Sequence, residues 1–210
     1  MVTGNVTGAA SISERPARAM SFLPAGDFVV ADLEYTTWPG AMVRGWSDPG
    51  EFREIVQIGA VRVAHGDSLC ETDALSFLVR PTLNPVLSDY FMALTGITSD
   101  DVAEHGTTLE SALQDFVAFT DGLPVLTHGG DDRVIVAECA RKSLTNPMDE
   151  TTWQDIRPPL EAYTGRKMMS SDLPAHFGLP DQGHSHDALA DSRALLRVLA
   201  HLQEAGKLAS

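Results

Sequence analysis

Three blocks in the first eighty residues are apolar at nearly every position. Phe28-Val-Val-Ala-Asp-Leu-Glu34, Ile55–Val63 and Ala74–Val79 are rich in β-branched residues, as strands covered on both faces would be. His65-Gly-Asp67, between the last two, is a tight-turn signal and predicts an antiparallel hairpin. From Leu87 to Thr120 the period becomes helical. Ser99-Asp-Asp and Thr107-Thr-Leu-Glu110 read as helix starts, the second with the spacing of a capping box if Thr107 is the cap. Leu123–Thr127 predicts a short buried strand, and Gly129-Gly130 turns the chain into a helix through about Lys142. Thr151–Asp155 predicts a last strand, followed by short helices to Phe177. A final helix from about His186 to Glu204 carries Leu195, Leu199 and Leu202 on one stripe. The segment from Thr36 to Arg53, with Trp38 and Trp46, reads as an exposed insertion. Strands first, then helices alternating with strands, predict one α/β domain with a mixed sheet, expected over residues 26–206. Met1 to about Ala25 is rich in Gly, Ser, Thr, Ala and Pro. It reads as a disordered leader, or as an over-long start ahead of Met20.

Composition narrows the classes of function. The chain has 210 residues with 43 % apolar positions, enough for one domain with a real core. No run approaches the roughly 18 apolar residues of a membrane span. Two cysteines, Cys70 and Cys139, are too few for a disulfide framework or a thiolate zinc site, and predict a reducing, cytoplasmic location. Fifteen basic residues against 29 acidic ones give a net charge of −14, which argues against a broad basic face gripping long duplex nucleic acid. An enzyme whose acids hold metal ions at one narrow site stays open.

Acids at apolar positions direct attention to that possibility. Asp32 and Glu34 lie two apart in a strand, on the face of Phe28 and Val30. Two ionised carboxylates buried side by side cost several kcal/mol or take up protons unless a cation offsets them. The bland alternative is a wet strand end. Asp191, three after Ala188 and four before Leu195, falls on the inward stripe of the last helix. Asp131 and Asp132 open another helix, where acids commonly cap or complement the dipole. Four carboxylates from three elements can converge on a pair of hard divalent cations, Mg²⁺ or Mn²⁺. Histidine is the natural proton acceptor near neutral pH, and His186 stands at the mouth of the helix that carries Asp191.

In their order along the chain, these motifs resemble those of the DEDDh-type 3′–5′ exonucleases, the proofreading-subunit type with an RNase H-like fold. Asp32-Leu-Glu34 is similar to the first motif, the Asp131-Asp132 region to the second, and His186-Asp-Ala-Leu-Ala-Asp191-Ser-Arg-Ala194 to the third, which is the most specific. Glu54–Val61, Arg80-Pro81 and Asn84–Ile97 resemble the branch of small-RNA and histone-mRNA 3′ exonucleases. The resemblance implies an RNase H-like mixed five-stranded sheet flanked by helices. It also implies two divalent metal ions, Mg²⁺ or Mn²⁺, held by Asp32, Glu34, Asp132 and Asp191, with His186 as general base. Asp132 is preferred because Ile135 and Val136 then follow at the family's apolar offsets, with Asp131 the alternative. His184 is a second, weaker base candidate. The implied activity is two-metal hydrolysis of single-stranded RNA or DNA, or of short oligonucleotides, from the 3′ end to nucleoside 5′-monophosphates. Neither a membrane nor a small-molecule cofactor is implied. Leu33, Glu34, Tyr35, Leu94 and Ile97 are the implied substrate contacts. Trp38 or Trp46 either stacks on a base or packs on its own domain. The competing reading is a catalytically silent nucleic-acid- or protein-binding regulatory module on the same fold.

Overall fold

The computed structural model describes residues 19–180 and 186–209. The five predicted strands form one sheet: β1 (Phe28–Tyr35), β2 (Ile55–His65), β3 (Leu69–Leu78), β4 (Val125–Thr127) and β5 (Trp153–Asp155). Their order is β3-β2-β1-β4-β5. β1 is antiparallel to β2 and parallel to β4, and β5 continues the parallel half. The hairpin at His65-Gly-Asp67 joins β2 to β3 as expected. β3 starts five residues earlier than the apolar run suggests, because its ladder to β2 continues through the exposed Cys70-Glu71-Thr72-Asp73 segment, where no apolar alternation marks it.

Alternate β1 side chains face two different cores. Val29, Ala31 and Leu33 pack with Leu113 and Phe116 of α4 (Leu109–Thr120) and Val134 and Ile135 of α5 (Asp131–Lys142). Phe28 and Val30 pack on the other side, against Leu195, Val198 and Leu199 of α8 (Ala188–Glu204) and Leu160 of α6 (Arg157–Thr164). The sheet is therefore a middle layer covered by helices on both faces, as its two-sided apolar strands require. A smaller cluster of Val56, Leu87, Phe91 and Val102 seats α2 (Asp89–Thr95) and α3 (Ser99–His105). Two short helices complete the set: α1 (Ala41–Arg44), inside the predicted insertion, and α7 (Leu173–His176), after a single 3₁₀ turn.

Helix starts follow local chemistry with one correction. Thr98 makes a capping box with Asp101 at the head of α3. At α4 the cap is Thr108, accepting from the backbone N–H of Ser111, and not Thr107. Thr107 is held outside the helix by a backbone bridge to Val79. The expected leader falls mostly on residues 1–18, outside the described residues. Its last part is ordered chain: Met20 bridges Leu208, and Phe22 and Leu23 pack on the α8 side of the sheet. The fold thus begins before the expected boundary at residue 26. Among the described residues no helix is long and apolar enough to cross a membrane.

Candidate active site

β1 and β4 run parallel, so both end on the same edge of the sheet, and the acids gather there. Glu34 lies near the end of β1 and is 8 % exposed, while Asp32, one pleat earlier, is half-buried. Asp191, in the first turn of α8, is 7 % exposed. It accepts a hydrogen bond at Oδ2 from the backbone N–H of His186 at 3.0 Å. One ligand atom from each of Glu34, His186 and Asp191 lies within 4.8 Å of the others. Three of the predicted residues therefore lie together.

In the second motif the structure separates the two candidates. Asp131, and not Asp132, faces the cluster. Asp131 is 9 % exposed and belongs to the buried stripe of α5 with Val134, Ile135, Glu138 and Cys139. Asp132 and Val136 fall on the outer side, where Asp132 lines a separate shallow groove of about 180 Å³ with Asn146, Met148, Asp149 and Trp153, and Val136 is 52 % exposed. The apolar offsets count from Asp131 (Val134, Ile135) rather than from Asp132.

The electrostatics agree with a shared site. Burial, together with Asp131, Glu34 and Asp191, holds the Asp32 carboxyl well above its ordinary value. Burial and then Asp191 and Asp131 push Glu34 up to about 8. Burial raises Asp131 to about 7, although the Arg157 guanidinium opposes it. Burial also raises Asp191, against the His186 N–H. Carboxyls held up in this way carry an unmet demand for positive charge. The donors are carboxylate oxygens with one imidazole nitrogen, a set that accepts a divalent cation, and Glu34, His186 and Asp191 lie close enough together to share one.

Around this cluster lie residues that the motifs did not single out. Asp187 caps α8, its Oδ1 accepting from Ala190 N at 2.9 Å, and its charge adds to the cluster. An Asp just before the helical stripe was the readable signal for it. Arg157, at the start of α6, sits by Gly129 and Asp131: a Cβ on Gly129 would lie 2.8 Å from Arg157 Nη2 and 4.0 Å from Asp131 Oδ1. Among the described residues Arg157 has no ion-pair partner within 4.0 Å. No sequence signal marked it. His128 is pushed down to about 4, by burial and then by Arg157, so its ring is neutral at ordinary pH.

The implied substrate contacts divide. Tyr35 packs at the rim of the α4–α5 core, and burial and then Asp131 push its phenol up to about 12. The Leu33 side chain points away, into the α4–α5 core. Ile97 packs on the α2–α3 cluster, and Leu94 on α2 is half-buried. Trp46 packs on its own domain: its indole N–H donates to Thr36 O at 3.2 Å, its ring meets Tyr35 edge-on, and the Arg53 guanidinium lies 5.1 Å from its centroid. His184 lies outside the described residues.

Comparison with known proteins decides the family. The family described as Exonuclease (RNase_T) matches residues 29–199. The chain belongs to the Exonuclease family. This exonuclease-family chain is 24 % identical over 229 residues to the 3′–5′ exonuclease Snipper of Drosophila melanogaster, covering 98 % of this chain and 79 % of that protein. It is 25 % identical over 191 residues to human ERI1 exoribonuclease 2, but there it spans only 26 % of the relative's length. The nuclease domain of 3′hExo, a DEDDh family member solved with rAMP, superposes with a TM-score of 0.72 at 24 % identity, over 88 % of this chain and 95 % of that one. The five-stranded mixed sheet flanked by helices is thus the RNase H-like exonuclease fold, and at family level the chain is a nuclease.

Proposed function

We propose that this exonuclease-family chain removes nucleotides from the 3′ ends of single-stranded RNA or DNA, using two divalent metal ions and releasing nucleoside 5′-monophosphates. The observation that carries the reading is the meeting of Glu34, Asp191 and His186 within 4.8 Å, beside two further raised acids at the end of the parallel strands. Asp32, Glu34, Asp131 and Asp191 would hold the ions, which supply charge stabilisation for the attacking and departing oxygens. His186 would take the proton of the attacking water. Its backbone N–H on Asp191 keeps the residue at the cluster. The Arg157 guanidinium, beside Gly129 and Asp131, would meet a substrate phosphate.

The net charge of −14 makes short oligonucleotides, with few phosphates to contact, the proposed preference. The two cysteines are both free, which supports a reducing, cytoplasmic location. The test is a time course on 5′-labelled single-stranded RNA and DNA of equal sequence, with Mg²⁺, Mn²⁺ or EDTA, beside His186→Ala. The expected result is a ladder shortening from the 3′ end, abolished by EDTA and lowered by about 10²–10⁴-fold in the variant. No cleavage by folded, metal-supplied protein would instead favour a silent binding module.

A further inference from the structure

The β2 residues paired with the two β1 acids hold the start of α8. Across the β1–β2 ladder, Glu34 pairs with Gln57 and Asp32 with Gly59. Gln57 is 5 % exposed, and its amide is committed at both ends to the head of α8. Its Nε2 donates to Asp187 Oδ2 at 2.8 Å, and its Oε1 accepts from the Ala188 N–H at 2.9 Å. The same Nε2 reaches Ser76 Oγ at 3.4 Å. At Gly59 the helix lies directly on the strand: a Cβ there would be 2.1 Å from Leu189 N and 2.2 Å from Ala188 C. Ser192 Oγ adds a hydrogen bond to Gly59 O at 3.0 Å.

His186 is the residue just outside this mooring. Its φ is +66°, in the left-handed region that a side chain adopts only where its surroundings hold it. Two contacts bracket it: its own N–H on Asp191, and the next residue, Asp187, clamped between Gln57 and the Ala190 N–H. Asp187 would still cap the helix without Gln57, since its Oδ1 serves Ala190. The buried Ala188 N–H would then have no partner and the half-buried Asp187 Oδ2 would lose its donor, so the chain at residues 186–188 would be free to turn toward water to satisfy them.

We propose that Gln57 is a positioning residue for His186: acting through Asp187 and Ala188, it fixes the mouth of α8 so that the imidazole faces Glu34 and Asp191. The consequence for turnover rests on the exonuclease reading above, whereas the placement of His186 does not. Misplacing a catalytic group by an ångström costs about 100-fold in rate, so Gln57→Leu is expected to lower kcat by about 10- to 100-fold. The Gln57 side chain is buried and its amide is committed to Asp187 and Ala188, so KM for a short oligonucleotide should stay within about threefold. Asp187→Asn, which keeps a capping oxygen but sets an amide against the Gln57 amide, should lose kcat similarly. The double variant should lose no more than the larger single one.

The experiment pairs these kinetics with ¹H–¹³C correlation spectra of the histidine rings, the His186 signal being assigned by its absence in His186→Ala. In the wild type the His186 signal should shift on addition of Mg²⁺. In Gln57→Leu and Asp187→Asn it should move alone and lose that response, while His65 and His201 keep their positions. An unchanged His186 signal in either folded variant, or unchanged kcat in an active enzyme, would overturn the proposal. So would a movement of all the histidine signals together, which would mark Gln57 as a general structural support. If the wild type cleaves nothing, the exonuclease reading fails, and the spectra still judge the role of Gln57.

Discussion

Asp131→Asn should remove function and raise stability at once. In the metal-free protein Asp131 titrates at about 7 against an ordinary 3.8, burial being the main cause. Between those two values the folded state holds a proton that the unfolded chain has lost. Unfolding is therefore favoured as pH rises through that window, with the penalty fully developed above it. At 1.36 kcal/mol for each pH unit, the interval corresponds to at most about 4 kcal/mol. Asparagine carries no charge and nearly the same shape, so it escapes the penalty. Because Glu34 and Asp32 exchange protons with Asp131 and the site relaxes, about 2 kcal/mol is the expected gain at pH 8. For a chain of this size that raises Tm by about 4–8 °C.

The assay is thermal unfolding by circular dichroism of EDTA-treated protein between pH 5 and pH 8. Wild-type Tm should fall across that range and recover with Mn²⁺, which supplies the missing positive charge. Asp131→Asn should show a shallower fall and a smaller response to Mn²⁺, and should not cleave. Asp132→Asn removes only a neighbouring charge that adds to the rise of Asp131, so its gain should be much smaller. Equal stabilisation by both asparagines, or a wild-type Tm that rises toward pH 8 without metal, would refute the reasoning.

Two further outcomes follow from features outside the acid cluster. Glu54 and Glu138 are fully buried and share Lys142, at 2.9 Å and 2.7 Å, while Glu54 also accepts from the N–H groups of Thr82, Leu83 and Asn84. Burial alone would raise the Glu54 carboxyl, but the Leu83 N–H and Lys142 outweigh it and hold it below its ordinary 4.5. Its contribution is thus present above that pH and lost as pH falls through the lowered folded value. Glu54→Gln should cost about 3 kcal/mol in urea unfolding at pH 7 and flatten the acid limb. For the substrate preference, kcat/KM on a dinucleotide and on a long oligonucleotide should be compared across a salt series. Shallow and similar slopes are expected, whereas a slope several-fold steeper on the long strand would point to an extended basic track.

What the sequence determined by itself is whatever depends on neighbours along the chain. Apolar runs placed the first three strands, and strand alternation put Asp32 and Glu34 on the face of Phe28 and Val30. The spacing from Ala188 through Asp191 to Leu195 placed an acid on the inward stripe of α8, where it is buried. β3 was only half legible, because hydrogen bonding to β2 holds its polar end without any apolar signal. The choice between Asp131 and Asp132 could not be made locally. From Asp132 the stripe reads Ile135, Val136, Cys139, all apolar; from Asp131 it passes through Glu138, which looks like a surface residue. Tertiary structure reverses that inference. Glu138 is buried because the Ile55 N–H, 83 positions away in sequence, donates to it at 2.8 Å and Lys142 neutralises it. That pairing rotates α5 and turns Asp131 inward. Gln57 on Asp187, 130 positions apart, and Arg157 beside Asp131 belong to the same class. Periodicity reports which face of an element is apolar, but a buried charge is stable only with its partners, and those partners become neighbours only when the chain has folded.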